Sequence, residues 1–137
     1  MARFLLDTTT VSHLMRKHSG VEHRMQALAP SHQVSTCTIV KGELRYGIER
    51  MASGRKRRHC EAMAAAVFHW LPCEGIPAAA ADLYARIKAA TERKGGRLDE
   101  NDLWIAATAL ALGAVLVTAD GDFGRVGHDL RIEDWTR

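Results

Sequence analysis

No apolar run in these 137 residues is long enough to cross a bilayer, which excludes a membrane-spanning helix. Cysteine is scarce. Cys37, Cys60 and Cys73 are too few and too scattered for a disulfide framework, and no CxxC pair is present. They read as reduced, mostly buried thiols in a cytoplasmic protein. The chain has no GxxxxGK[ST] loop, which argues against nucleotide hydrolysis of that kind. Its seven histidines show no zinc-like spacing. His13, His18 and His23 recur every five residues, which does not stack them on one helical face, so the histidines read as mostly surface residues without a catalytic role. Repeats, linkers and low-complexity tracts are also missing, which leaves one domain over residues 1–137 as the expectation.

What is present alternates. A hydrophobic fraction of 47% suits a packed core, and short apolar runs are separated by longer helical stretches. The opening MARFLLDTTT turns polar too soon for a signal peptide and predicts a first strand over Arg3–Leu6. Helices are expected over Val11–Lys17 and Val21–Leu28, then a strand over Val34–Cys37. Thr38 is placed to cap a helix reaching about Met51, which Ser53-Gly54 ends. A helix over Lys56–Phe68 and a strand over Trp70–Cys73 follow. Pro77 sits near the start of an alanine-rich helix that stops at Gly95-Gly96. Asp99 caps a helix to Leu112, Gly113 terminates it, and strands follow over Ala114–Val117 and Leu130–Ile132. Strands separated by helices imply an α/β fold, with a mainly parallel sheet covered on both faces.

Four acids stand at distinctive places in this pattern. Asp7 and Asp120 follow apolar strands, at the edge where open α/β sheets bind ligands. Taken singly, each also suits a helix cap or turn, and Asp122 reads mainly as a turn residue. Glu43 falls beside the apolar stripe Val40, Leu44, Ile48 and Met51, close to Gly42 and Gly47. Asp102 opens the segment Leu103–Leu112, which is apolar nearly all the way round. A capping box with Asp99 as cap would tolerate an acid at position 102, but does not require Asp99, Glu100 and Asp102 together. If the four acids converge, each pair roughly 4 Å apart repels by about 4 kcal/mol at an effective dielectric of about 20. Protonation, a buried arginine or a divalent metal must then compensate.

Net charge is nonetheless +3, with a pI near 9.0. Arg55, Lys56, Arg57 and Arg58 form one basic cluster; Arg93, Lys94 and Arg97 form a looser one. A basic surface around an acidic pocket suits a polyanion, so Arg55–Arg58 are candidate RNA contacts. Each cluster by itself also fits a solvated helix start or loop.

Together these settings resemble the PIN-domain family, closely its VapC toxin branch, over Arg3 to Trp135. The carrying residues are Asp7-Thr8 after the first strand and Glu43-Leu44-Arg45-Tyr46-Gly47 in an E-L-x-x-G pattern. Asp102 before Ile105-Ala106-Ala107, Thr118 to Phe123 in T-x-D-x-D-F, and the closing Ile132-Glu133-Asp134-Trp135 complete the set. The resemblance implies a three-layer fold whose sheet of about five parallel strands runs 3-2-1-4-5. It implies a metal-dependent ribonuclease that forms homodimers, is neutralised by a VapB-like antitoxin, and reaches promoter DNA through that antitoxin. Asp7, Glu43, Asp102 and Asp120 are then the expected catalytic and metal residues. Thr8, Thr118, Asp99 and Asp122 are supporting candidates. An all-oxygen site selects a hard cation, Mg²⁺ with Mn²⁺ as the alternative. Two rival readings are a PIN-like binder without catalysis and a receiver-like phospho-acceptor. The second needs a lysine after the last strand, and none follows Asp120.

Overall fold

The computed structural model describes residues 1–137. Five strands form one parallel sheet: β1 (Arg3–Leu6), β2 (Gln33–Cys37), β3 (Cys73–Glu74), β4 (Val115–Val117) and β5 (Ile132–Glu133). Their order is β3-β2-β1-β4-β5. A receiver-like sheet would run 2-1-3-4-5, so the topology removes that rival. In register, Phe4 pairs with Val34 on one side and Val115 on the other, which puts β1 at the centre. Leu5, Leu6, Leu116 and Val117 are fully buried, as a parallel sheet covered on both faces demands.

Six helices complete the three layers: α1 (Thr8–Met15), α2 (Ser19–Ala27), α3 (Thr38–Glu49), α4 (Arg55–Trp70), α5 (Ala80–Arg93) and α6 (Glu100–Leu112). The last of these is the internal one. Leu103, Ile105, Ala106, Ala107, Thr108 and Ala109 are all buried, so the helix shows no polar face along this stretch. Its ends follow the local chemistry expected of them. Asp99 accepts from the Asn101 N–H, and Gly113 takes the left-handed conformation at φ 65°.

Several boundaries differ from the sequence expectation. Helix α1 begins at Thr8 rather than Val11, because Asp7 itself is its cap. Thr38 opens α3 without capping it; its hydroxyl donates to the Glu74 carbonyl on the neighbouring strand. Helix α4 runs on through Trp70, so β3 starts only at Cys73, and β5 is Ile132–Glu133. The cysteines are free, but only Cys37 is buried; Cys73 is exposed. No helix is long and apolar enough to cross a membrane.

Candidate active site

Strand order reverses between β1 and β4, and the crevice at such a switch point is where open α/β sheets hold ligands. Asp7 leaves the end of β1 and Thr118 the end of β4, so the two flank this crevice. The Asp7 N–H donates to the Val117 carbonyl at 3.1 Å, and the Thr10 hydroxyl donates to the same carbonyl at 2.8 Å. Backbone and hydroxyl together pin the start of α1 to β4.

Asp7 is only 2% exposed. Its Oδ1 accepts from the Thr10 N–H and the Thr9 hydroxyl, at 2.9 and 2.8 Å. Its Oδ2 accepts from the Thr118 hydroxyl at 2.5 Å. Burial pushes its carboxyl above the ordinary range, and these bonds, Thr118 foremost, pull it partly back. Thr118 also accepts from the Asp120 N–H at 2.9 Å, linking the two acids through one hydroxyl. Glu43 arrives from α3, and its Oε1 accepts from the Thr8 hydroxyl at 2.6 Å. Thr8 and Thr118 therefore serve the acids directly. Thr9 and Thr10 complete the threonine run after Asp7, a signal that the sequence reading passed over.

Asp102 differs from the other acids around α6. Asp99 caps that helix, and Glu100 is taken up by Lys88, at 3.3 Å, and by the Tyr84 hydroxyl. Asp102 caps nothing and is half-buried. Its carboxyl is pushed up to about 7, first by burial, then by the charges of Asp99, Asp120, Glu43 and Asp7. The other three expected acids thus all bear on Asp102, although the four come from β1, α3, α6 and the segment after β4. Asp120 has a structural task as well: it accepts from the Asp122 N–H and caps the 3-10 turn Gly121–Val126. Asp122 pairs with Arg125 at 3.3 Å, as befits a turn residue. The set is open. No three His, Cys, Asp or Glu side chains gather closely enough to enclose one ion. Its donor chemistry is nevertheless that of a hard-cation site, with carboxylate oxygens throughout and mutual repulsion that only a cation or a proton relieves.

Comparison with known proteins shows the family. The PIN domain family model matches residues 4–129. The chain belongs to the PIN-domain family. Among curated relatives, "Ribonuclease VapC1" of Haemophilus influenzae is 32% identical over 138 residues, and "Ribonuclease VapC2" of Rickettsia felis is 26% identical over 136. Each alignment covers 98% of both chains. A crystal structure of VapBC2 from Rickettsia felis, bound to a DNA fragment from their promoter, superposes with a TM-score of 0.87 at 26% identity. It covers 97% of this chain and 98% of that one.

Outside its acidic crevice, this PIN domain uses some expected surface residues internally. The Arg57 guanidinium binds Glu49 at 3.1 Å and Glu61 at 3.2 Å, and donates to the Glu49 and Met51 carbonyls. It closes the turn between α3 and α4, so it is not a free RNA contact; Arg55, Lys56 and Arg58 remain exposed. Four of the seven histidines, His23, His59, His69 and His128, are exposed, as expected, and the other three are half-buried. Nδ1 of His18 accepts from the Gly20 and Val21 N–H groups and caps α2, and Nδ1 of His32 accepts from the Ala2 N–H. Nδ1 of His13 is buried without a partner. A groove of about 710 Å³ opens between α1, α2 and α4. Leu14, Met15, Met25, Met63, Val67 and Trp70 line it, with Arg16, Lys17 and Glu22 also on its walls. Trp70 lies half-exposed over this groove, at 50%.

Proposed function

We propose that this PIN domain is a metal-dependent endoribonuclease and the toxin of a VapBC-type toxin–antitoxin pair. Asp102 is the observation that carries the reading. An acid with no capping role sits at the mouth of a buried helix, and burial, followed by the charges of four other carboxylates, raises its carboxyl to about 7. A fold does not need that arrangement, whereas a hydrolytic site does. The relatives named Ribonuclease VapC support the same reaction class.

Asp7, Glu43, Asp102 and Asp120 are the residues that would hold Mg²⁺ or Mn²⁺. Asp7 is fixed in place by its threonines, while Asp102 and the second carboxylate oxygen of Glu43 remain unengaged by protein donors and free to close on a cation. Such an ion would supply water activation and charge neutralisation for phosphodiester hydrolysis. Thr8 and Thr118 orient Glu43 and Asp7 and so set the directions from which their oxygens point. Cleavage should therefore require Mg²⁺ or Mn²⁺, cease in EDTA, and leave 5′-phosphate and 3′-hydroxyl ends. Ends carrying a 2′,3′-cyclic phosphate would mean attack by the ribose and remove this mechanism.

The partner is a VapB-like antitoxin, and the groove between α1, α2 and α4 is its docking site. Its methionine-rich lining suits the apolar face of a helix, and the Arg16, Lys17 and Glu22 side chains suit polar flanks. Promoter DNA is reached through the antitoxin, and the toxin itself pairs as a homodimer.

A further inference from the structure

Turning helix α3 at 3.6 residues per turn brings Glu43, Tyr46, Gly47 and Arg50 onto one face. Tyr46 is 66% exposed, among the most exposed large side chains in the molecule. The Arg50 guanidinium stands 5.7 Å from the centre of its ring and forms no ion pair. Lys41, on the same helix, lies over the Phe68 ring and is also free of acidic partners. The two glycines sharpen the picture. A Cβ built at Gly42 or Gly47 would meet nothing within 4 Å, so nothing in this chain requires either to be glycine. Each nonetheless weakens the helix by about 1 kcal/mol relative to alanine. The helix thus presents an exposed aromatic ring, a cation beside it and a bare backbone, one turn from a carboxylate of the acidic crevice.

We infer that Tyr46, flanked by Arg50, is a stacking platform for a nucleobase of single-stranded RNA next to the scissile phosphate, and so a specificity-determining element. This rests on the ribonuclease reading above. An exposed aromatic with an adjacent arginine is how proteins hold unpaired bases, because every base offers a π-face and the cation adds to it. Tyr46 lies about 4.5 Å along the helix axis from Glu43, from the 1.5 Å rise per residue. A base there therefore belongs to a nucleotide at or beside the cleaved bond. The free cation Arg50 complements its phosphates.

The test uses the full chain with Mg²⁺ and two short single-stranded RNAs, one intact and one lacking the base beside the mapped cleavage position. Tyr46→Ala is expected to lower kcat/KM on intact RNA about tenfold, mainly through KM. Tyr46→Phe, which keeps the ring, should retain wild-type values. On the abasic RNA, wild type and Tyr46→Ala should be equal, because the partner of the ring is already gone. Equal losses on both RNAs, or no loss on either, would overturn the platform while leaving the ribonuclease intact. Sedimentation adds a separate arm: conversion of Tyr46→Ala to monomers with unchanged kcat/KM per protomer assigns this face to a second copy and overturns the proposal. A wild-type chain that cleaves neither RNA with Mg²⁺ or Mn²⁺ removes the ribonuclease reading and this inference together.

Discussion

At the residue scale, the four acids separate by how much of the fold each supports. Asp7 accepts three hydrogen bonds and caps α1, so Asp7→Ala should cost stability as well as activity, about 0.5–2 kcal/mol for a lost cap. Asp102 supports nothing local, and its removal should act the other way. In the folded state its carboxyl keeps a proton up to about 7, whereas the unfolded chain releases it near 3.8. Between those values the folded form binds more protons, so metal-free stability should fall as pH rises through that window. Asp102→Asn should flatten this decline and, in EDTA at pH 8, melt at or above the wild-type temperature while cleaving no RNA. Melts of wild type and variant in EDTA from pH 4 to pH 8 check this. A wild-type profile flat across the window, or a variant that is less stable at pH 8, would show that Asp102 is a structural acid after all.

At the level of elements, legibility tracked how local the determining chemistry is. Helix α6 was readable to the residue, because Asp99 and Gly113 mark its ends by their own backbone preferences. Helix α1 was not, since Asp7 suits a strand end and a helix cap alike in sequence, and only its capping bond fixes the helix start at Thr8. The Trp70–Cys73 stretch looks like a strand by composition, yet α4 continues through Trp70, whose ring lies along the groove wall. Tertiary packing overrode propensity there. Arg57 shows the same limit in another form. Its pairing with Glu61 is an i,i+4 contact within reach of a sequence reading, but its bond to Glu49 exists only once the turn after α3 is folded. The basic cluster therefore divides. Replacing Arg55, Lys56 and Arg58 with alanine should weaken RNA binding and reduce its salt slope by about 0.7 per lost phosphate contact. Arg57→Ala should instead lower the melting temperature, because it breaks the contact between α3 and α4. Binding titrations at several salt concentrations, beside thermal melts, separate the two. An unaltered slope in the triple variant would reduce these residues to a solvated helix start.

The whole molecule carries two features on different elements: a set of acids at the β1/β4 switch point and an apolar groove between α1, α2 and α4. Helix α1 joins them. Its cap, Asp7, lies in the crevice, while Leu14 and Met15 at its far end line the groove. The helix is eight residues long, and at about 1.5 Å per residue its two ends lie roughly 12 Å apart. A partner helix seated in the groove needs only a short extension to reach the carboxylates. An arginine at the end of that extension would suit them, since a planar guanidinium engages carboxylates in bidentate fashion and offsets charge that a metal otherwise neutralises. Partner and metal are then alternative occupants of one electrostatic demand, and their affinities must oppose each other reciprocally. Titrating a VapB-like partner at increasing Mg²⁺ should raise its apparent Kd, and Asp102→Asn, with one charge fewer to satisfy, should weaken that dependence. Met63→Glu in the groove wall should weaken the partner at every Mg²⁺ concentration and leave RNA cleavage by the free toxin unchanged. Partner affinity indifferent to Mg²⁺, with cleavage still blocked, would place inhibition in steric cover of the RNA path, and the crevice would then be closed without being filled.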